Sequence, residues 1–121
     1  MILAAIDIGS NAARLLISEV IYEDGKPDFR KVNLVRVPLR LGFDVFETNS
    51  ISPEKVDMIL KTIKAYKYLL DIYDVKHVKA CATSAMRDAS NSPEIIELVK
   101  RETGIRIEVI TGDAEAAYIY E

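Results

Sequence analysis

Met1-Ile2-Leu3-Ala4-Ala5-Ile6-Asp7-Ile8-Gly9-Ser10-Asn11 opens the chain as an apolar run that ends in an acid and a turn. Residues 1–8 read as a buried strand rather than a leader, because the run is short, has no basic start and meets Asp7. Glycine, serine and asparagine are turn formers, and glycine and asparagine tolerate positive φ. Apolar residues then resume over 12–22 with Leu15, Leu16, Ile17, Val20 and Ile21. Two strands joined by a short glycine-containing loop make a hairpin.

Working outward, Glu23-Asp24-Gly25-Lys26-Pro27 is a second turn, and a third strand follows over 29–41, with Pro38 marking an edge or a bulge. Residues 42–50 are expected to form an irregular loop. Ser52-Pro53-Glu54 starts a helix with a serine cap, a proline at the first helical position and an acid near the positive dipole end. Val56, Ile59, Leu60, Ile63, Tyr66, Leu69, Leu70 and Tyr73 recur at spacings of three and four, which gives that helix one apolar face. A strand over 76–82 comes next. Ser92-Pro93-Glu94 repeats the helix start and Thr103-Gly104 stops that helix. Residues 105–110 form a fifth strand, and Thr111-Gly112-Asp113 opens a third helix over 114–121. The order β-β-β-α-β-α-β-α predicts an α/β domain: a five-stranded mixed sheet with helices on its faces.

The 121 residues fit one domain, 1–121, with a single core. Apolar residues make up 50% and charged ones 29%, an ordinary globular balance. A net charge of −3 offers no general attraction to nucleic acid or to acidic membranes, so a polyanionic ligand would have to be held by a few placed cations and backbone amides. No stretch approaches the ~20 apolar residues of a membrane span, and a cytoplasmic location is expected. The single cysteine, Cys81, falls in an apolar run and reads as buried, and the single histidine, His77, reads as an exposed strand-end residue. The helical pattern at 114–121 stops without a glycine or a basic last turn, so a fragment or an isolated domain is expected.

Three motifs at strand ends carry chemistry. In Asp7-Ile8-Gly9-Ser10-Asn11, a carboxylate closing a buried strand needs a partner, a hydrogen bond or a metal. The glycine beside it admits a ligand to the backbone, and the following amides and hydroxyl suit phosphate oxygens. A plain hairpin with a turn-stabilising aspartate accounts for the same residues. Thr83-Ser84-Ala85-Met86-Arg87-Asp88 lies past the carboxyl end of the fourth strand, where open α/β sheets gather ligands. Arg87 suits a phosphate because its planar fork donates in pairs, although surface pairing with Asp88 or Asp113 is the simpler reading. Gly112-Asp113-Ala114-Glu115-Ala116 puts Glu115 in a first helical turn, where acids are common for dipole reasons alone, or where a general base faces a cleft. All three motifs follow strands expected to be parallel, which would gather them at one edge.

Ala5-Ile6-Asp7-Ile8-Gly9-Ser10-Asn11, Leu39-Arg40-Leu41-Gly42, Ala82-Thr83-Ser84-Ala85-Met86-Arg87-Asp88-Ala89 and Ile110-Thr111-Gly112-Asp113-Ala114-Glu115-Ala116 together resemble, in order and spacing, the exopolyphosphatase/guanosine pentaphosphatase family. The resemblance covers essentially the whole chain. It implies a ribonuclease-H-like, actin-type ATPase domain that forms the N-terminal part of a phosphohydrolase. That enzyme would release orthophosphate from polyphosphate or from guanosine pentaphosphate, with magnesium. Carried over by residue, Glu115 resembles the catalytic base and Asp7 belongs to the metal and phosphate site. Gly9, Ser10 and Asn11 resemble the first phosphate loop, Arg87 a phosphate ligand, and Arg40 a weaker candidate for the same cleft. The family commonly carries two acids before the last motif's alanine, whereas Ala114 takes the first place here and Glu115 the second. The family's second phosphate loop, an Asp-Ile-Gly-Gly-Gly-Ser sequence, is absent here. The resemblance therefore implies a missing second domain, an inactive fragment, and a bare surface that a homodimer would cover. An actin-type kinase and a non-catalytic nucleotide or polyphosphate sensor stay open as alternatives.

Overall fold

The computed structural model describes residues 1–110; the expected third helix, with Asp113 and Glu115, lies outside the described residues. Three strands meander first: β1 (Ile2–Ile8), β2 (Ala12–Glu23) and β3 (Lys26–Pro38). Two helices, α1 (Leu41–Thr48) and α2 (Pro53–Ile72), precede β4 (His77–Ala82). Helices α3 (Ser84–Asp88) and α4 (Ser92–Thr103) then lead to β5 (Ile107–Val109). The strands form one five-stranded mixed sheet in the order β3-β2-β1-β4-β5. Pairs β1–β2 and β2–β3 are antiparallel, and β1–β4 and β4–β5 are parallel.

Period-two alternation decides which face of the sheet is buried. Ala4, Ile6 and Ile8 of β1 and Ala13, Leu15 and Ile17 of β2 join one core with Ile59, Ile63, Tyr66 and Leu70 of α2 and Ile95 and Val99 of α4. Both long helices therefore cover the same face. Tyr66, 1% exposed, donates its hydroxyl to the carbonyls of Ala13 (3.0 Å) and Val35 (3.4 Å), which satisfies the one polar atom this large side chain brings into the core. Burial pushes its pKa up to about 12. The β2–β3 hairpin turns on Asp24 and Gly25, both at positive φ, as a two-residue turn with right-handed strand twist requires.

Helix α2 starts as the sequence predicts: Ser52 accepts from the Lys55 amide and Pro53 is the first helical residue. Three expectations need correcting. Residues 42–50 are not an irregular loop, because Leu41–Thr48 is helical and is closed by Asn49 in the left-handed region. This helix has no side-chain cap; it is held by tertiary bonds, Gly42 N to Ser10 O (3.0 Å) and Ser52 N to the Asp44 carboxylate (3.1 Å). Pro38, by contrast, stands where expected: it is the last residue of β3, which is an edge strand of the sheet. Ser92 does not cap α4, because it is the first helical residue and its hydroxyl donates to the Met86 carbonyl instead. Asn91 takes the cap position, and its side chain bridges both backbone groups of Ile51. Short α3, between Thr83 and Ala89, adds an element to the expected order.

Candidate functional site

Parallel pairing of β1, β4 and β5 brings their carboxyl ends to one edge of the sheet. Backbone bonds fix this: Thr83 N donates to Ile8 O (3.1 Å) and Ile110 N to Ala82 O (3.0 Å). The first two motifs therefore meet, and the described chain ends at the same edge. The turn after β1 is closed by Gly9 N donating to Ala12 O at 2.9 Å. Neither Gly9 nor Asn11 uses positive φ. A Cβ at Gly9 would lie 3.5 Å from Ala12 O, so the described residues leave room for alanine there.

Asn11 serves through its backbone. Its carbonyl accepts from both Leu39 N (2.9 Å) and Arg40 N (2.8 Å), and Gly42 N binds Ser10 O, so the Leu39–Gly42 motif is laced along the first loop. Arg40 takes the left-handed region (φ 56°) at the start of α1, and its side chain is exposed. Gly42 lets α1 approach the first loop closely, since a Cβ there would stand 3.3 Å from the Ser10 Cβ.

An open cavity of about 720 Å³ lies where these segments meet. Ser10, Ser84, Ala85, Arg87 and Asp88 line it together with Gly42, Val45, Phe46 and Asn49 of the α1 segment. The hydroxyls of Ser10 and Ser84, 74 residues apart in sequence, are hydrogen-bonded to each other. Arg87 is tied at its amide to Thr83 O (3.0 Å), while its Nε stands 3.7 Å from an Asp88 oxygen. That separation exceeds a hydrogen bond, and both groups are substantially exposed, so the pair contributes little and leaves the guanidinium able to turn to an anion. Among the sequence candidates, Ser10 and Arg87 reach this cavity. Arg40 is not among the described residues that line it.

Asp7 is placed differently. It is the penultimate residue of β1, and alternation turns it to the face opposite Ile6 and Ile8. There it borders a second cavity, of about 420 Å³, together with Arg14, Arg36, Lys79 and Cys81. Cys81 is buried and His77 exposed, as expected. Among the described residues, no three His, Cys, Asp or Glu side chains cluster to hold a metal. Magnesium, however, keeps most of its water and commonly takes only one or two carboxylates along with substrate phosphates. Asp7 does not fit that chemistry among the described residues, because it shares its cavity with Arg14, Arg36 and Lys79 and stands apart from Ser10 and Arg87.

Sequence reasoning did not single out Ser84 or Phe46. Ser84 lies inside the quoted second motif, but its partner hydroxyl becomes visible only when β1 and β4 pair. Phe46 was assigned to a loop, so its place on a helix facing the cavity carried no sequence signal.

With this geometry in view, comparison with known proteins is decisive. The profile of the Ppx/GppA phosphatase family matches residues 20–121. The chain belongs to the Ppx/GppA phosphatase family. A bifunctional 3-dehydroquinate synthase/phosphatase of Fusobacterium nucleatum is 38% identical over 116 residues, covering 93% of this chain and 18% of that protein. A guanosine-5'-triphosphate,3'-diphosphate pyrophosphatase of Vibrio campbellii is 32% identical, covering 98% of this chain and 23% of its own length. The crystal structure of the Aquifex aeolicus Ppx/GppA family member superposes with a TM-score of 0.88 at 39% identity, over 99% of this chain and 38% of that one. Proteins named exopolyphosphatase are among the other matches. The fold is thus the ribonuclease-H-like, actin-type fold of that family. The chain spans less than two fifths of the length of the relatives described. No helix among the described residues is long and apolar enough to cross a membrane.

Proposed function

We propose that this chain supplies one wall of the active site of a phosphohydrolase that releases terminal orthophosphate from inorganic polyphosphate or guanosine pentaphosphate. The observation that carries the reading is the Ser10–Ser84 hydroxyl pair beside Arg87 in a single cavity at the carboxyl edge of the parallel strands. Open α/β sheets bind ligands at that edge, and two hydroxyls with a guanidinium suit phosphate oxygens. Family membership supports the same chemistry.

In this mechanism the terminal phosphoryl group rests against Ser10, Ser84 and Arg87. Water attacks phosphorus in line, a P–O bond forms as the bridging P–O bond breaks, and the shortened chain leaves with the bridging oxygen. Glu115 takes the proton from the water, a role typically worth ~10²–10⁴-fold. Arg87 and the loop amides stabilise charge that grows on the phosphoryl oxygens. Asp7 borders the other cavity, beside Arg14, Arg36 and Lys79, so no step is assigned to it or to a metal ion held by it. The 121-residue chain alone is expected to be inactive, because closure of a second lobe completes such sites.

The test is orthophosphate release from long-chain polyphosphate and from guanosine pentaphosphate by the gene's full-length product, with Glu115→Gln beside it. Release by the full-length protein, lost in the variant, supports the reading. Binding without turnover would make the protein a sensor, and turnover that needs an acceptor would make it a kinase. Either result would displace the proposal.

A further inference from the structure

The cavity that holds Ser10, Ser84 and Arg87 has a chemically mixed lining. Beside the hydroxyls and the guanidinium, the α1 segment contributes Gly42, Val45, Phe46 and Asn49, spaced i, i+3, i+4 and i+7. Among these four, Phe46 is 91% exposed, so its ring is almost wholly open to solvent at the cavity wall. An inorganic phosphate chain offers such a ring nothing, since it has no apolar surface and no π face. A purine offers both.

The ring stands on a fixed support. Leu41 is buried at the start of α1, Gly42 N holds Ser10 O, and the Asp44 carboxylate accepts from Ser52 N. At the far end, Ser90 N donates to Asn49 O at 2.9 Å. Hydrogen bonding from Ser52, through its side chain first and then its backbone amide, keeps the Asp44 carboxyl below its ordinary pKa, so that anchor stays charged at neutral pH. The volume of about 720 Å³ falls within the ~300–1,000 Å³ typical of small-molecule sites and exceeds what a single phosphoryl group fills.

We propose that Phe46 is a stacking platform for the base of a purine nucleotide whose phosphates rest on Ser10, Ser84 and Arg87, and that it sets the preference of this site for a nucleoside polyphosphate over an inorganic one. The inference rests on the phosphohydrolase reading of the same cavity. It adds the substrate class and a residue that discriminates between the two candidates. Because the ring is exposed, removing it leaves the core intact.

The experiment is calorimetric titration of the full-length protein in a Glu115→Gln background, which slows turnover, with guanosine pentaphosphate and with inorganic tripolyphosphate as probes. Phe46→Ala should weaken guanosine pentaphosphate by roughly tenfold, the scale of losing one base–aromatic stack, and change tripolyphosphate less than about twofold. Phe46→Trp should restore the guanosine ligand, which a merely structural role would not do. Equal losses for both probes, or no loss for either, would overturn the inference. So would a parent protein that binds tripolyphosphate but not guanosine pentaphosphate, with the phosphohydrolase reading left standing. A parent that binds neither probe would overturn that reading and the inference with it.

Discussion

Replacing Gly42 with alanine separates the needs of the fold from the needs of the site. Gly42 is the second residue of α1 and does not use positive φ, so alanine is conformationally allowed there. Helix propensity alone would favour alanine by up to about 1 kcal/mol. The new Cβ would stand 3.3 Å from Ser10 Cβ, 3.8 Å from Ser10 O and 3.9 Å from Ser10 Oγ. Carbon pairs prefer about 3.5–4.0 Å, so the neighbour must give by a few tenths of an ångström. The helix cannot retreat freely, because Gly42 N is bonded to Ser10 O at 3.0 Å. The displacement therefore falls on Ser10 and on its hydroxyl bond to Ser84. Stability should change by less than about 1 kcal/mol, as the propensity gain offsets the contact. Affinity for tripolyphosphate should fall about fivefold, the equivalent of one ordinary hydrogen bond at roughly 1 kcal/mol. Urea denaturation and calorimetric titration on the same preparation separate the two effects. Unchanged stability with unchanged affinity would refute the link between the Ser10 position and phosphate binding. A stability loss of several kcal/mol would show that Gly42 serves the core instead.

Other expectations follow from single contacts. Ser10→Ala and Ser84→Ala should each weaken tripolyphosphate binding, and the double variant should lose less than the sum by at least about 0.5 kcal/mol, because the hydroxyls act as one unit; additive losses would show that they do not. Tyr66→Phe should cost about 1 kcal/mol in chemical denaturation by removing the buried donor to Ala13 O. Tyr66 titrates near 10.0 when unfolded and at about 12 when folded, so the folded state holds the extra proton between those values. Stability is therefore lost as pH rises through that window, by roughly 3 kcal/mol at most; the phenylalanine variant should lack this component, and identical alkaline slopes would contradict the assignment. Asp44 has the opposite sign. Its lowered pKa stabilises the fold above the ordinary 3.8, and that contribution fades as pH falls through the folded value. Denaturation of Asp44→Asn across the acid range should show a shallower loss, and an unchanged slope would remove Asp44 from the account.

What was legible in the sequence depended on whether the signal was local. Helix α2 carries its own cap in Ser52, its own start in Pro53 and a regular apolar stripe, and the structure follows each. The hairpin turn at Asp24-Gly25 is equally self-contained. Helix α1 is not, because its Gly42 and Asn49 look like breakers and its stabilising bonds run to Ser10 and Ser52. Ser92 carries a cap signature whose hydroxyl was drawn away by the Met86 carbonyl. For the site, the convergence of the first two motifs followed from expecting parallel strands, and β1–β4 pairing brought Ser10 and Arg87 to one cavity. The Ser10–Ser84 bond was not readable, since it joins residues that only the folded sheet makes neighbours. Alternation along β1, which sends Ile6 and Ile8 inward, also puts Asp7 on the other face from the two helices; the motif, read as a block, concealed that.

The account stands most directly on where phosphate binds. The decisive measurement is a crystal structure of the full-length protein soaked with tungstate, a phosphate mimic whose metal gives a strong anomalous signal. The account predicts an anomalous peak within hydrogen-bonding reach of Ser10, Ser84 and Arg87, lost in Arg87→Ala crystals. A peak elsewhere, with this cavity empty at saturating tungstate, would contradict it.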